Sequence, residues 1–445
     1  MMKMKNIGII LALFVFVFQG VNAQEAPKTV EADLEGMKLI ARESVKGTVS
    51  ARLFLKGGVS NYHEKYSGIE ELMFSMIAEG GPADMSKQEY QQSLEKIGAR
   101  IGSSSGYDYS NISLSCIRQY WEEAFTLYSR AINNPAFRQE DFDLIKNKLI
   151  TAAKQERTNP DAHLNNLSMA NAWEGTDYAK KPSGTLESLE KLITLDILKE
   201  HYERLMVRDK VFMVVVGDID SDELTKTITE LWKDFPKGKG ESKWVVEENT
   251  LKEGLIVEDR KIETNYIKGV FSAPAKGTEA SIHNALAMRI MGKRFFEELR
   301  TKRSLSYAPA AGTTGYIARP MNQIYISTTD PEQSLGLMVE LINDAKTKGF
   351  EKDELEGTKQ SFLTGYYMGQ ETNASISMSL GVNEIFGGWE KMDLFTERVL
   401  NTKLKDINAV FAEYGDKIHW TYLGKEEMVN PDFFKQPVQS KKIKK

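Results

Sequence analysis

Cysteine is almost absent: Cys116 is the only one in 445 residues, so no disulfide can form within the chain and packing alone must hold it together. It lies in the strand-like stretch from Ile112 to Ile117 with no context that points to activation, which makes it a buried structural thiol rather than a nucleophile. Histidine is scarce as well. The five, His63, His163, His201, His283 and His419, stand singly, with no partner three or four residues away to share a helix face as metal ligands do. The chain also lacks a Gly-rich phosphate loop, a Gly-x-Ser-x-Gly elbow and a Cys-x-x-Cys pair, which argues against nucleotide, serine-hydrolase and dithiol chemistry. Charge of one sign is missing too. The net charge of −5 is evenly mixed and gives no electrostatic case for a nucleic-acid partner.

Long apolar runs are limited to the stretch from Ile7 to Phe18, preceded by Lys3 and Lys5 and followed by Val21-Asn22-Ala23. A membrane span needs about 20 apolar residues, so this run reads as a secretory signal peptide over residues 1–23. The expectation is an exported chain, periplasmic first and extracellular as the alternative, with no integral membrane segment once the leader is removed. The closing Lys441-Lys442-Ile443-Lys444-Lys445 reads as a solvated end.

What is present is enough chain for more than one core, since single cores stop growing at roughly 250–300 residues. Apolar periodicity predicts a strand over residues 50–55, a helix over 68–79, a second helix opened by the Ser-x-x-Glu pattern at Ser86, a hairpin over 99–116, and helices at 122–132, 139–155, 161–172 and 194–203. An apolar strand from Lys210 to Val216 closes this half. Residues 236–249 are rich in Gly, Lys and Glu and read as a linker. Beyond it the order restarts, with strands near 255 and at 266–273, a helix over 282–299, a hairpin over 306–329 and helices at 331–347, 352–365 and 376–387. The pattern predicts an α+β fold of two homologous halves, residues 24–235 and 250–445, each a mostly antiparallel sheet covered by helices.

The stretch Gly68-Ile69-Glu70-Glu71-Leu72-Met73-Phe74-Ser75-Met76-Ile77-Ala78-Glu79-Gly80-Gly81 resembles the metal-binding helix of the pitrilysin-like (insulinase, M16, inverzincin) metallopeptidases, which carries His-x-x-Glu-His. In that pattern two histidines four apart grip zinc and the Glu polarises a bound water. On this register Glu71 and Ser75 replace the histidines and Phe74 the Glu. The family's third ligand falls on Ala152. Neighbouring residues on a helix point apart, so Glu70 and Glu71 read as a solvated pair rather than a displaced site. The stretch from Leu94 to Ser105, Pro182 to Leu189 and Phe212 to Asp220 are similar to further family landmarks. The resemblance implies two halves in a clamshell-like chamber and a chain with no catalytic residue and no metal or other cofactor of its own.

The second half holds Leu299-Arg300-Thr301-Lys302-Arg303-Ser304-Leu305-Ser306-Tyr307, which resembles the family's Leu-Arg…Leu-x-Tyr segment. There the Arg and Tyr serve a peptide bound at the zinc site, because a tetrahedral intermediate builds negative charge that a fixed cation and a phenol can hold. Arg300 and Tyr307 keep the seven-residue spacing. The resemblance therefore implies a substrate-binding role for these two, a zinc-bearing M16-like subunit as partner in a heterodimer or larger assembly, and a peptide or unfolded polypeptide as substrate. The alternative is a stand-alone peptide-binding or scaffolding pseudopeptidase.

Overall fold

The computed structural model describes residues 28–239 and 251–434. The expected leader, residues 240–249 of the expected linker and the lysine-rich end lie outside the described residues.

The first half runs β1 (Thr29–Leu34), β2 (Met37–Glu43), β3 (Thr48–Lys56), α1 (Ile69–Gly80), α2 (Lys87–Lys96), β4 (Arg100–Ser105), β5 (Tyr109–Ile117), α3 (Trp121–Asn133), α4 (Gln139–Glu156), α5 (Pro160–Ala172), α6 (Leu195–Leu205), β6 (Val211–Gly217) and α7 (Ser221–Leu231). The second runs β7 (Gly254–Asp259), β8 (Asn265–Ser272), α8 (Glu279–Phe295), β9 (Ala310–Thr313), β10 (Met321–Thr328), α9 (Pro331–Lys348), α10 (Lys352–Met368), α11 (Asn373–Ile385), α12 (Phe395–Asn401), α13 (Leu404–Tyr414) and β11 (His419–Gly424). The predicted restart is a true duplication. One sheet is ordered β1-β2-β6-β3-β5-β4 and the other β7-β11-β8-β10-β9, so that β1 apart the strands correspond one to one. In each sheet a single parallel pair, β2 with β6 and β7 with β11, sits among antiparallel neighbours. The fold is α+β, as the pattern predicts.

Strand alternation separates two faces in the first sheet. Val49, Ala51, Leu53 and Leu55 of β3 are all buried against the helices of their own half. Phe54 faces the other way with Phe212, Val214 and Val216 of β6. What covers that second face is α11, from the other half: Gly381 approaches so closely that a Cβ there would lie 2.1 Å from the Phe54 ring. Ser377 also hydrogen bonds Ser50 at 3.0 Å, and the Asn373 side-chain amide donates to the Thr48 carbonyl at 2.6 Å. The exchange is reciprocal. Helix α5 of the first half lies on β8 and β11 of the second, where Lys268 donates to Asn165 at 2.6 Å and His163 meets Glu258 at 2.8 Å.

A third tie sits at the tip of the β4–β5 hairpin. Buried Asp108 accepts the backbone N–H groups of Ile317 and Ala318 at 2.9 and 2.8 Å, together with the Tyr178 hydroxyl. The rings of Tyr107, Tyr178 and Tyr316 pack around it. The halves are thus knitted by two exchanged helices and one buried carboxylate. Among the described residues, no helix is long and apolar enough to cross a membrane.

Candidate functional site

Helix α1 starts at Gly68, whose φ of 91° is left-handed and where a Cβ would lie 2.6 Å from the Gly184 Cα, so only glycine fits. Its apolar residues point inward: Leu72, Met73, Phe74 and Ile77 are fully buried. Glu71, Ser75 and Glu79, spaced by one turn each, form the half-buried stripe that the zinc ligands would share. Phe74, at the water-polarising position, belongs to the core. Burying a phenylalanine contributes about 1.5–3 kcal/mol to stability, so this position now serves the fold.

Glu71 is engaged structurally. Its carboxylate accepts the backbone N–H of Ser105, the last residue of edge strand β4, at 3.1 Å. Burial pushes its pKa up, and the Ser105 N–H partly opposes that rise. Ala152 lies on α4, an exposed methyl. The two helices are tied by Lys148 and Glu79 at 2.8 Å, and one turn along each from that pair come Ala152 and Ser75. The family's zinc does not fit this donor set: one carboxylate spent on a backbone N–H, a phenyl ring, a hydroxyl and a methyl cannot replace two imidazoles and a carboxylate. Among the described residues no three of His, Cys, Asp and Glu converge as a metal site.

Glu70 departs from the solvated pair expected of it. It is 1% exposed and accepts hydrogen bonds from the Asn61 amide at 2.8 Å and from the Ser110 hydroxyl. Buried His201 stands 3.7 Å away through Nε2, while its Nδ1 accepts from Arg204 at 3.0 Å. Arginine always donates, so the imidazole proton belongs on Nε2, facing Glu70. These partners come from a 3-10 turn, β5 and α6, brought together only by the fold. No local spacing in the sequence signals them.

Arg300 and Tyr307 are brought together. After Phe295 the α8 helix widens into one π-helical turn, Phe296–Thr301, that keeps Leu299 buried. The chain then reverses: the Ser304 N–H donates to the Arg300 carbonyl and the Leu305 N–H to the Leu299 carbonyl, with Ser304 at a left-handed φ of 53°. The turn leaves the Arg300 guanidinium between two rings, 4.7 Å from the Phe296 centroid and 4.3 Å from that of Tyr307. Tyr307 is 80% exposed and lies in the loop before β9, which begins at Ala310 rather than at the predicted 306. The nearby acids are taken by other cations: Lys302 pairs with Glu297 and Glu298, and Arg303 with Glu298. Among the described residues no carboxylate pairs with Arg300, and no hydrogen bond, ion pair or ring contact joins this corner to α1 or α4. The expected residues therefore form two separate groups, Glu71, Phe74, Ser75 and Ala152 in one half and Arg300 with Tyr307 in the other.

Cys116 is buried as expected, its thiol pushed up to about 11 by burial, which makes it inert at neutral pH.

Comparisons with known proteins agree with this picture. Residues 38–185 match the insulinase (peptidase family M16) model and residues 192–362 the peptidase M16 inactive domain. The "Non-peptidase homolog YmxG" of Helicobacter pylori is 24% identical over 336 residues, 73% of this chain and 76% of that protein. The crystal structure of a peptidase M16 inactive domain from Pseudomonas fluorescens superposes with a TM-score of 0.80 at 19% identity, covering 91% of this chain and 99% of that one. A chain of complex III2 from Candida albicans superposes with a TM-score of 0.77 at 14% identity, covering 91% and 98%. The chain belongs to the insulinase-like peptidase family M16, as a member that lacks the zinc motif.

Proposed function

We propose that this chain is the non-catalytic subunit of a two-subunit M16 peptidase, exported to the periplasm, that presents Arg300 and Tyr307 to a peptide held by a zinc-bearing partner. The observation that carries this reading is the contrast in Arg300: a guanidinium flanked by two rings, one of them on an almost fully exposed tyrosine, with every neighbouring carboxylate committed elsewhere. A stacked, uncommitted guanidinium is oriented at little further entropic cost and is ready for a carbonyl or a developing oxyanion. The exchanged helices bind the two halves of this chain to each other, so in this reading the clamshell chamber is closed by a second chain.

Because its metal positions hold no ligand set, the chain supplies no activated water. Its part is to bind and orient the peptide, while the zinc of the partner would supply the nucleophile. The likeness in fold to a chain of complex III2 supports the idea that a chain of this fold works as a subunit of a larger assembly. Co-expression with a zinc-bearing M16 homologue followed by size-exclusion chromatography tests the assembly. Co-elution as a stoichiometric complex with peptidase activity is expected. A chain that elutes alone while binding peptide by itself would favour the stand-alone pseudopeptidase.

A further inference from the structure

The β3–β5–β4 side of the first sheet carries an arginine with too few partners. In register, Arg52 of β3 lies beside Ser113 of β5, which lies beside Gly102 of β4; the rows on either side are Ser50–Ser115–Arg100 and Phe54–Asn111–Ser104. This face is the one that α11 covers, chiefly over β3 and β6. Arg52 is mostly buried there, and its one hydrogen bond runs from Nη1 to the Asn111 side-chain oxygen at 2.5 Å. Its Nε is buried and donates to nothing. Among the described residues no ion pair reaches it, and none of the residues on this face of β3, β5 or β4 is an Asp or Glu. The one acid on the covering helix α11, Glu384, pairs with Lys38 at 2.9 Å. Burial pushes the guanidinium's pKa down with no carboxylate to oppose it.

An uncompensated buried charge is among the costlier features a fold can carry, on the order of several kcal/mol. Structural arginines in this molecule are treated otherwise. Arg208, more deeply buried than Arg52, donates to four backbone carbonyls and pairs with Glu35, and Arg42 makes two bonds to Asp393 at 2.8 and 2.7 Å.

We propose that Arg52 is the anchor of a carboxylate-binding site, floored by Gly102, Ser113 and Ser104, that takes the carboxylate of a polypeptide, either its C-terminus or an acidic side chain. The other guanidinium on this face, Arg100, is exposed at the edge strand, so the recessed Arg52 with its neutral hydroxyl and amide neighbours matches a carboxylate. The glycine and serines leave room beside the fork, and the Ser104 hydroxyl, which accepts from the Asn111 amide, keeps its proton to donate to the second oxygen, while Ser113 donates to the Gly102 carbonyl. The site lies on the first half, apart from Arg300 and Tyr307, and does not depend on the peptidase-subunit reading.

Calorimetric titration of the full chain with three versions of one Ala-Ser tetrapeptide tests this: free C-terminus, amidated C-terminus, and amidated with an internal Glu. Binding of the first alone assigns the C-terminal carboxylate, and binding of the third assigns the side chain. In either case Arg52→Met should weaken binding by about 10- to 100-fold, the scale of a charged hydrogen-bonded contact, and Arg52→Lys by less. Without peptide, Arg52→Met should melt no lower than the wild type, because it removes an unpaired buried charge. Equal binding of all three peptides, no binding of any, or an Arg52→Met chain that loses stability while Arg52→Lys binds as wild type would each overturn the assignment.

Discussion

The α1 helix and the Arg300 corner both resemble active-site segments of the M16 family, yet the fold treats them in opposite ways. On α1 and α4 no position that would serve zinc keeps a free ligand: Phe74 lies in the core, Glu71 holds the Ser105 N–H, and Ser75 and Ala152 offer a hydroxyl and an exposed methyl. At the corner the side chains stay uncommitted, since among the described residues Arg300 has no carboxylate partner and Tyr307 is 80% exposed. Residues that pack serve stability, whereas exposed and uncommitted side chains stay available to a ligand. The difference separates a region that serves the fold from one that is left open to contact.

The largest effect is expected at Phe74. Phe74→Ala should cost about 3–5 kcal/mol by loss of transfer energy and opening of a cavity, read by chemical denaturation. A loss below about 1 kcal/mol would show that the position is not core and break the comparison. Next comes Glu70→Ala, which strands the Asn61 amide, the Ser110 hydroxyl and His201 in the interior; about 1–3 kcal/mol is expected from unsatisfied buried donors. Glu70→Gln should recover part of that loss, because an amide oxygen still accepts.

A smaller effect with a definite sign belongs to Glu71. Its folded-state pKa is raised by burial, so the protonated form is the one the fold prefers. The stability it contributes is full below its unfolded value near 4.3 and is lost as pH rises through the raised folded value. Glu71→Gln should therefore be at least as stable as wild type at neutral pH and should flatten the stability profile in that acidic window, as thermal melts across pH would show. A steeper profile in the variant would contradict the assignment. Smallest of all, Arg300→Ala and Tyr307→Ala should each change stability by no more than about 0.5 kcal/mol, the ordinary range for exposed sites. A larger loss would make the corner a structural feature and erase the contrast.

Much of this was legible in the sequence and some was not. The Ser86 capping box, with Glu89 returning a bond to the Ser86 N–H, formed as its pattern predicts, and the helices α3, α4 and α9 follow their apolar periodicity. Strand β11 carries no clear strand pattern because His419 and Thr421 interrupt what is a fully buried run, a case where tertiary burial overrides composition. Helix α7, held by Asp220 as its cap, offers little beyond Leu224 and Ile228 on its buried face. Position 74 could be assigned by register alone, but burial of Glu70 could not, because its partners lie 9, 40 and 131 residues away in the chain. Nor does any local pattern announce that α5 and α11 trade places between halves.

The most direct measurement is the turnover of a peptide by the complex of this chain with a zinc-bearing M16 partner, comparing wild type with Arg300→Ala at matched amounts of assembled complex. The account predicts that the variant assembles normally and that kcat/KM falls by about tenfold or more, toward the 10²–10³ range seen when a transition-state donor is removed. An unchanged kcat/KM in the assembled variant would contradict it.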